Sequence, residues 1–295
     1  MRITHQWSDT RATVRIEGLP TKTRVLHITD SHVALADERN SDWREAAALT
    51  REKFVKHHFE ATGRNAHTEK TFCDTLSAFK GQEIDLIALT GDIVHLPSKA
   101  SVEHISGALK SCGVPWLYTS GNHDWNFGGQ PCTDETRAKF WPELQPLHCG
   151  PAAASSRVVS GVNFLAVDNS NYQISEEQLA FVKAELARGL PSVLLIHIPL
   201  SLPTLRAPTV ARWKSPILMA DPEWAPEDRE RWGTRLDDKE TLECMRLLSA
   251  SANLAAVLCG HIHFPHADNV SARAVQYVGK PGYEGGTRVV EFLPL

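Results

Sequence analysis

The stretch Leu254-Ala255-Ala256-Val257-Leu258-Cys259-Gly260-His261-Ile262-His263 decides how this chain is read. An apolar run of that length ending at glycine predicts a buried strand. Two imidazoles then leave its carboxyl end, two residues apart. Four earlier apolar runs end in the same manner. Arg24–Thr29 runs into Asp30-Ser31-His32, Ile84–Leu89 into Thr90-Gly91-Asp92, Val114–Thr119 into Gly121-Asn122-His123-Asp124, and Ser192–Ile196 into His197-Ile198-Pro199.

Working outward, the segments between these runs read as helices. Trp43, Ala46, Ala47, Phe54, Val55, His58 and Phe59 follow a helical stripe, and Thr71–Phe79 continue it after a break near Gly63. Further helices are predicted over Lys99–Ser111, Ser175–Arg188 and Lys239–Ala252, with Ser175 as N-cap and Glu177–Gln178 near its third position. Val162–Val167, Val270–Val278 and Thr287–Phe292 read as strands, the last two separated by the turn Gly279–Gly286. Two short alternating pieces, Ile3–Trp7 and Ala12–Glu17, occupy residues 1–23. Gly, Pro and polar residues between Trp125 and Pro151 predict a long surface loop, and Leu200–Asp238 reads as an insertion without clear periodicity. Apolar runs alternating with helices indicate an α/β layered fold. Ligands in such folds gather beyond the carboxyl ends of the strands, where all five polar clusters fall.

Composition is that of a globular enzyme-sized chain: 295 residues, 42% hydrophobic and 22% charged. No repeat or long linker divides it, so residues 1–295 are expected to form a single domain carrying the substrate-side insertion at about 200–238. The net charge of -4, with both signs mixed, argues against a nonspecific nucleic-acid binder. It is compatible with an anionic substrate, because bound cations would dominate the local field. The N-terminus lacks the apolar core of a signal peptide, and no stretch has the apolar length of a membrane span. A soluble cytoplasmic protein without a membrane partner is the expectation. Six dispersed cysteines without a CxxC pair read as free thiols. Cys132 and Cys149, which flank the loop-like segment, are the pair to check for a bridge.

The strand-end residues are Asp30, His32, Asp92, Asn122, His123, His197, His261 and His263. Carboxylates and imidazoles without thiolates suit Mn, Fe or Zn. Leaving His123 aside, seven ligand-type residues are too many for one ion with open positions and enough for two. A carboxylate has two oxygens, and Asp92 is placed in the chain to bridge a pair of cations. Asn122 offers a neutral amide oxygen that holds an ion without adding charge. Two cations about 3.5–4 Å apart suit in-line phosphoryl displacement by an activated hydroxide. His123, adjacent to Asn122, could then donate a proton or a hydrogen bond to the leaving oxygen.

The ordered series Asp-x-His, Gly-Asp, Gly-Asn-His-Asp, His and Gly-His-x-His resembles the calcineurin-like metallophosphoesterase family over Asp30 to His263. The resemblance implies a four-layer α/β/β/α sandwich with two facing mixed sheets. It implies one metal on Asp30, His32, Asp92 and His263, a second on Asp92, Asn122, His197 and His261, and His123 as the catalytic histidine. Phosphoprotein phosphatases of that superfamily carry Gly-Asp-x-x-Asp-Arg-Gly, where this chain has Gly91-Asp92-Ile93-Val94-His95. His95 thus replaces the Asp that orients the catalytic histidine there, which argues against a protein phosphatase. Purple acid phosphatases place a Tyr after the second strand-end Asp; here His32 fills the ligand position instead.

Outside the core set, His95 reads either as a substrate-facing or supporting group or as a loop histidine bonded to backbone. Trp125, directly after Asp124, is a candidate substrate contact. Arg206, Arg212, Lys214, Arg229, Arg231 and Arg235, with Trp213, Trp224 and Trp232, read as a phosphate- and ring-gripping roof or as a supportive loop. Gly282, Tyr283, Gly285 and Gly286 form a loop to the rim or a plain turn. His57, His58 and His67 read as helix histidines without a ligand partner. The function these residues support is dinuclear hydrolysis of a small phosphodiester or phosphomonoester, nucleotides included. A nuclease and a non-catalytic scaffold on the same fold are the alternatives. The scaffold reading expects lost ligands, and none is lost.

Overall fold

The computed structural model describes residues 1–127, Gln130 and residues 132–295. The N-terminal pieces form a hairpin, β1 (Ile3–Trp7) with β2 (Arg11–Ile16), and β3 (Thr23–Ile28) follows. Helices α1 (Arg44–Thr62) and α2 (Thr68–Ala78) lead to β4 (Leu86–Thr90), and α3 (Lys99–Cys112) leads to β5 (Trp116–Thr119). After α4 (Asp134–Leu144) come β6 (Ala154–Val159), β7 (Val162–Val167), α5 (Glu176–Ala187) and β8 (Ser192–Leu195). Then α6 (Arg206–Trp213), α7 (Pro226–Arg231) and α8 (Lys239–Ala250) precede β9 (Leu254–Cys259), β10 (His266–Asn269), β11 (Val275–Val278) and β12 (Arg288–Pro294).

Two six-stranded mixed sheets result, ordered β1-β2-β12-β3-β4-β5 and β10-β11-β9-β8-β7-β6. Within them β3, β4 and β5 are parallel, as are β7, β8, β9 and β11. Pleat alternation between two buried faces explains why the decisive runs are apolar at nearly every position. In β4, Leu86 and Ala88 face the opposite sheet, whereas Ile87 and Leu89 face α2 and α3. In β9, Ala256 and Leu258 face inward, and Val257 and Cys259 pack under α5 and α8. The inter-sheet core includes Val14, Val25, Phe164, Val193, Tyr277 and Phe292, with Phe164 edge-on to Phe292 at 5.7 Å between ring centroids. Helices outside both sheets complete the α/β/β/α sandwich, as expected.

The N-cap expected for α5 is present: Ser175 accepts from the Gln178 backbone N–H, and Gln178 answers on the Ser175 N–H at 2.8 Å. Other expectations need correction. The supposed surface loop after Trp125 contains α4, capped by the Thr133 side chain and packed through Phe140 and Leu144 into the outer core. The insertion contains α6 and α7. The single strand expected over Val270–Val278 is β11 preceded by a turn, with the Val270 N–H donating to Ala274 O. Cys132 and Cys149 are not bridged; all six thiols are free. Among the described residues, no helix is long and apolar enough to cross a membrane.

Phe164 is fully buried between the sheets, so Phe164→Ala should lower unfolding free energy by about 3–5 kcal/mol in a urea titration. Val158→Ala, on exposed β6, should change it by under about 0.5 kcal/mol.

Candidate metal centre

Parallel pairing brings the strand ends to one rim, and backbone hydrogen bonds then fix them. Asp30 N donates to Gly91 O at 3.0 Å, His32 N to Asp92 O at 2.8 Å, and Gly260 N to His197 O at 2.9 Å. Asp30, His32, Asp92, His261 and His263 all have positive φ, between 49° and 72°. Non-glycine residues rarely adopt this region, and such residues cluster at functional sites. Two glycines are required by close approach. A Cβ on Gly121 would lie 2.3 Å from Asp92 Oδ1, and one on Gly260 would lie 2.3 Å from Asp30 Oδ2. Gly121 and Gly260, before the Asn122-His123 and His261-His263 clusters, therefore make room for a carboxylate across the rim.

Two sets of side chains converge. Ligand atoms of Asp30, His32, Asp92 and His263 lie within 4.8 Å of one another, and so do those of Asp92, His197 and His261. Asp92 belongs to both. His32 Nε2 is 3.1 Å from His263 Nε2, and His263 Nε2 is 3.3 Å from Asp30 Oδ1. His197 Nε2 lies 3.1 Å from Asn122 Oδ1 and 3.3 Å from Asp92 Oδ2, which in turn is 3.7 Å from His32 Nε2. Asp92 Oδ1 accepts the His123 N–H at 2.7 Å, while Asp92 Oδ2 is buried without a hydrogen-bond partner.

A buried carboxylate oxygen without a partner is costly. Here it sits between two groups of nitrogen and oxygen atoms about 3 Å apart, the edge length expected around a cation with bonds of about 2.0–2.1 Å. The residues fit a cation on each side of Asp92.

The remaining imidazole nitrogens are held by partners that orient the rings. Thr90 O can only accept, so His197 Nδ1 at 2.8 Å carries a proton and Nε2 faces Asp92 and Asn122, where a bound cation would take the place of its proton. His261 Nε2 pairs with the Tyr172 hydroxyl at 2.9 Å, leaving its other nitrogen for the cluster. Burial depresses His32 and His261 well below the usual imidazole range, keeping them neutral and suited to ligation. Burial also opposes charge on His197, but Asp92 and, more weakly, Asp30 push it up to about 9. The Asp92 carboxylate stays well below its ordinary value; burial works against it, and His197 and His123 more than offset that. Negative charge at Asp92 thus calls for positive charge beside it.

His123 lies against the same centre, its ring 5.2 Å from His32 and stacked on His95 at 4.4 Å. His95 Nδ1 is 3.0 Å from His32 Nδ1, so His95 touches both a cluster imidazole and His123. Trp125 does not face a substrate. It is fully buried, its Nε1 donating to Ser170 Oγ at 2.8 Å, because the turn at Asp124 aims the indole into the outer core. The insertion's arginines are largely tied down: Arg229 pairs with Asp237 at 2.6 Å, Arg206 with Asp221 at 3.3 Å, and Arg235 with Asp238 at 2.6 Å. Trp213 reaches the rim, edge-on to His263 at 5.5 Å, its Nε1 donating to Ile262 O. Tyr283 also reaches it, with its ring 5.3 Å from that of His263. Of the helix histidines, His58 is buried and donates from Nδ1 to Tyr283 O at 2.7 Å, tying α1 to that loop. Phe54 of α1 stacks on His32 at 4.4 Å.

Several supporting residues escaped the sequence reading. Asp124 accepts backbone N–H groups from Asp92 at 2.8 Å, Val94 at 2.8 Å and Gly121 at 2.6 Å, locking the Asp92 turn. Burial, then the charge on Asp92, push its carboxyl up to about 7, against those three donors. Asn169 Oδ1 accepts from His197 N and Ile198 N, both at 3.0 Å. Asp124 had a signal, its place in Gly-Asn-His-Asp; Asn169 and Tyr172 had none.

The model of the calcineurin-like phosphoesterase family matches residues 23–265. The chain is 25% identical over 254 residues to the 3',5'-cyclic adenosine monophosphate phosphodiesterase CpdA of Escherichia coli K12, covering 82% of this chain and 70% of that protein. It is 33% identical over 116 residues to a probable cyclic nucleotide phosphodiesterase of Psychrobacter arcticus, covering 38% of this chain and about a third (32%) of that one. A dimetal phosphatase from Danio rerio superposes with a TM-score of 0.54 at 12% identity, over 90% of this chain and 91% of that one. The yellow lupin purple acid phosphatase PPD1 superposes with a TM-score of 0.50 at 14% identity, over 93% of this chain and 46% of that one. The chain belongs to the calcineurin-like phosphoesterase family. It is a metal-dependent phosphoesterase, and family and Asp/His cluster together point to a dinuclear metal centre.

Replacing Asp124 by Asn turns one acceptor oxygen into a donor that faces backbone N–H groups. Asp124→Asn should lower metal affinity about 10–100-fold and stability by about 1–3 kcal/mol, read by metal titration and thermal unfolding.

Proposed function

We propose that the protein hydrolyses a phosphodiester or phosphomonoester of a small molecule, nucleotides being the favoured group. Asp30, His32, Asp92 and His263 would hold one cation, and Asp92, Asn122, His197 and His261 would hold the other. The observation that carries this is Asp92 Oδ2, buried without a partner and shared by both clusters. Bound Mn, Fe or Zn supplies Lewis acidity to the phosphoryl group and hydroxide at neutral pH.

The chain's own residues do the rest. Asn122 contributes an uncharged oxygen beside His197. With Nε2 of His32 committed to the cluster, its proton sits on Nδ1 and is donated to His95 Nδ1. His95 then carries its own proton on Nε2, as a neutral donor. Stacking on His95 fixes the plane of His123, which donates a proton or a hydrogen bond to the leaving oxygen. The names of the two relatives support a diester substrate, and the free thiols of all six cysteines support a reducing, cytoplasmic setting. A net charge of -4 favours a small phosphoester over a nucleic-acid polymer.

The test is metal content together with hydrolysis of bis-p-nitrophenyl phosphate and p-nitrophenyl phosphate under added Mn, Fe or Zn. His123→Ala should lower kcat about 10²–10⁴-fold while keeping the wild-type metal content. Equal loss of metal would make His123 a ligand instead of an acid.

A further inference from the structure

Beside His123 lies an open cavity of about 310 Å³. Asn122, His123 and His95 line it on the side of the metal cluster. Its walls are Ala46 and Thr50 of α1, Leu96 beyond β4, and Asn126 and Phe127 beyond β5. Phe127 is not a stray aromatic: Trp43 packs edge-on against it at 4.6 Å and Phe140 at 5.4 Å. Leu96 is buried behind α1, in contact with Ala47. The cavity therefore has a supported aromatic side and apolar Ala46 and Leu96, with a threonine hydroxyl, two asparagine amides and two imidazoles among them. Among the described residues, no Asp, Glu, Lys or Arg lines it.

We propose that this cavity holds the alcohol half of the substrate and selects an uncharged, ring-bearing alcohol no larger than one nucleoside. The inference rests on the proposed phosphoester chemistry, since the cavity opens from the side where His123 would meet the leaving oxygen. Size sets the upper limit, because about 310 Å³ is at the small end of ligand pockets. Charge sets the class. A basic alcohol would meet no lining carboxylate and a second phosphate no lining cation, the charge of Lys53 on α1 reaching His95 and His123 from outside the lining. The mixed wall suits a flat ring against Phe127, with sugar-like hydroxyls toward Thr50 and Asn126. Specificity thus comes from α1, the segment between the first two metal-bearing strand ends.

The test uses adenosine as the free alcohol, with glycerol as a small polyol, against wild type, Ala46→Trp and Thr50→Trp. Ala46 is exposed and Thr50 half-buried on α1, so either indole can enter the cavity without disturbing the core. Saturation-transfer NMR on the full chain should show adenosine ring contacts, and both variants should weaken adenosine binding at least about tenfold with melting temperature and metal content retained. Adenosine should also inhibit bis-p-nitrophenyl phosphate hydrolysis competitively, with its inhibition constant rising in parallel. Unchanged adenosine binding in both folded variants, or glycerol binding without adenosine binding, overturns the proposal. Adenosine binding lost in the variants, in a wild type that cleaves no phosphoester with any ion, supports the pocket and refutes the catalytic reading.

Discussion

A carboxylate buried at the meeting point of two parallel-strand rims is the constraint on which the rest depends. Asp92 Oδ1 is satisfied by the His123 N–H, but Oδ2 has no hydrogen-bond partner and lies 3.3 Å from His197 Nε2 and 3.7 Å from His32 Nε2. Left without a counter-charge, such an oxygen would be strongly destabilising in a site from which water is largely excluded. The surrounding chemistry answers that need. Imidazoles and one further carboxylate converge on it from both sides, and the groups behind three of the rings hold their outer nitrogens. Thr90 O, Tyr172 and His95 each hold the outer nitrogen of an inward-facing ring.

Holding those groups requires a backbone that the chain would not adopt by itself. Five of the seven ligand-type residues sit at left-handed φ, each at a cost of order 1 kcal/mol. The strain is sustained because the strands behind them are buried on both faces. The inter-sheet core and the two helix-covered outer cores fix β3, β4, β8 and β9. The turns beyond those strands are cross-linked by backbone hydrogen bonds to one another and to Asp124. The same physical logic places Gly121 and Gly260 before two of the polar clusters, where a methyl group would overlap Asp92 or Asp30.

How much of this was legible in the sequence follows from the same facts. Strands buried on both faces are apolar throughout, so β3, β4, β5, β8 and β9 stood out, and the polar residues at their ends stood out against them. Asp30, His32, Asp92, Asn122, His197, His261 and His263 converge in the fold as their order along the chain predicted. Elements with weak patterning did not stand out. Helix α4 carries an internal Pro142 and only a few buried positions, so its composition resembled a loop. Strand β10, His-Ala-Asp-Asn, has no apolar run at all and exists by pairing with β11. Trp125 shows the limit of adjacency: next to a site residue in sequence, it points the opposite way. Asn169 and Tyr172 support His197 and His261 from a different strand end, a relation that only tertiary structure creates.

The most direct test of a carboxylate shared by two cations is electron paramagnetic resonance of the Mn(II)-loaded protein, with metal content measured on the same sample. The account predicts about two ions per chain with an exchange-coupled spectrum, and loss of both the coupling and at least one ion in Asp92→Asn. One ion per chain, or two magnetically isolated ions that Asp92→Asn leaves unchanged, would contradict it.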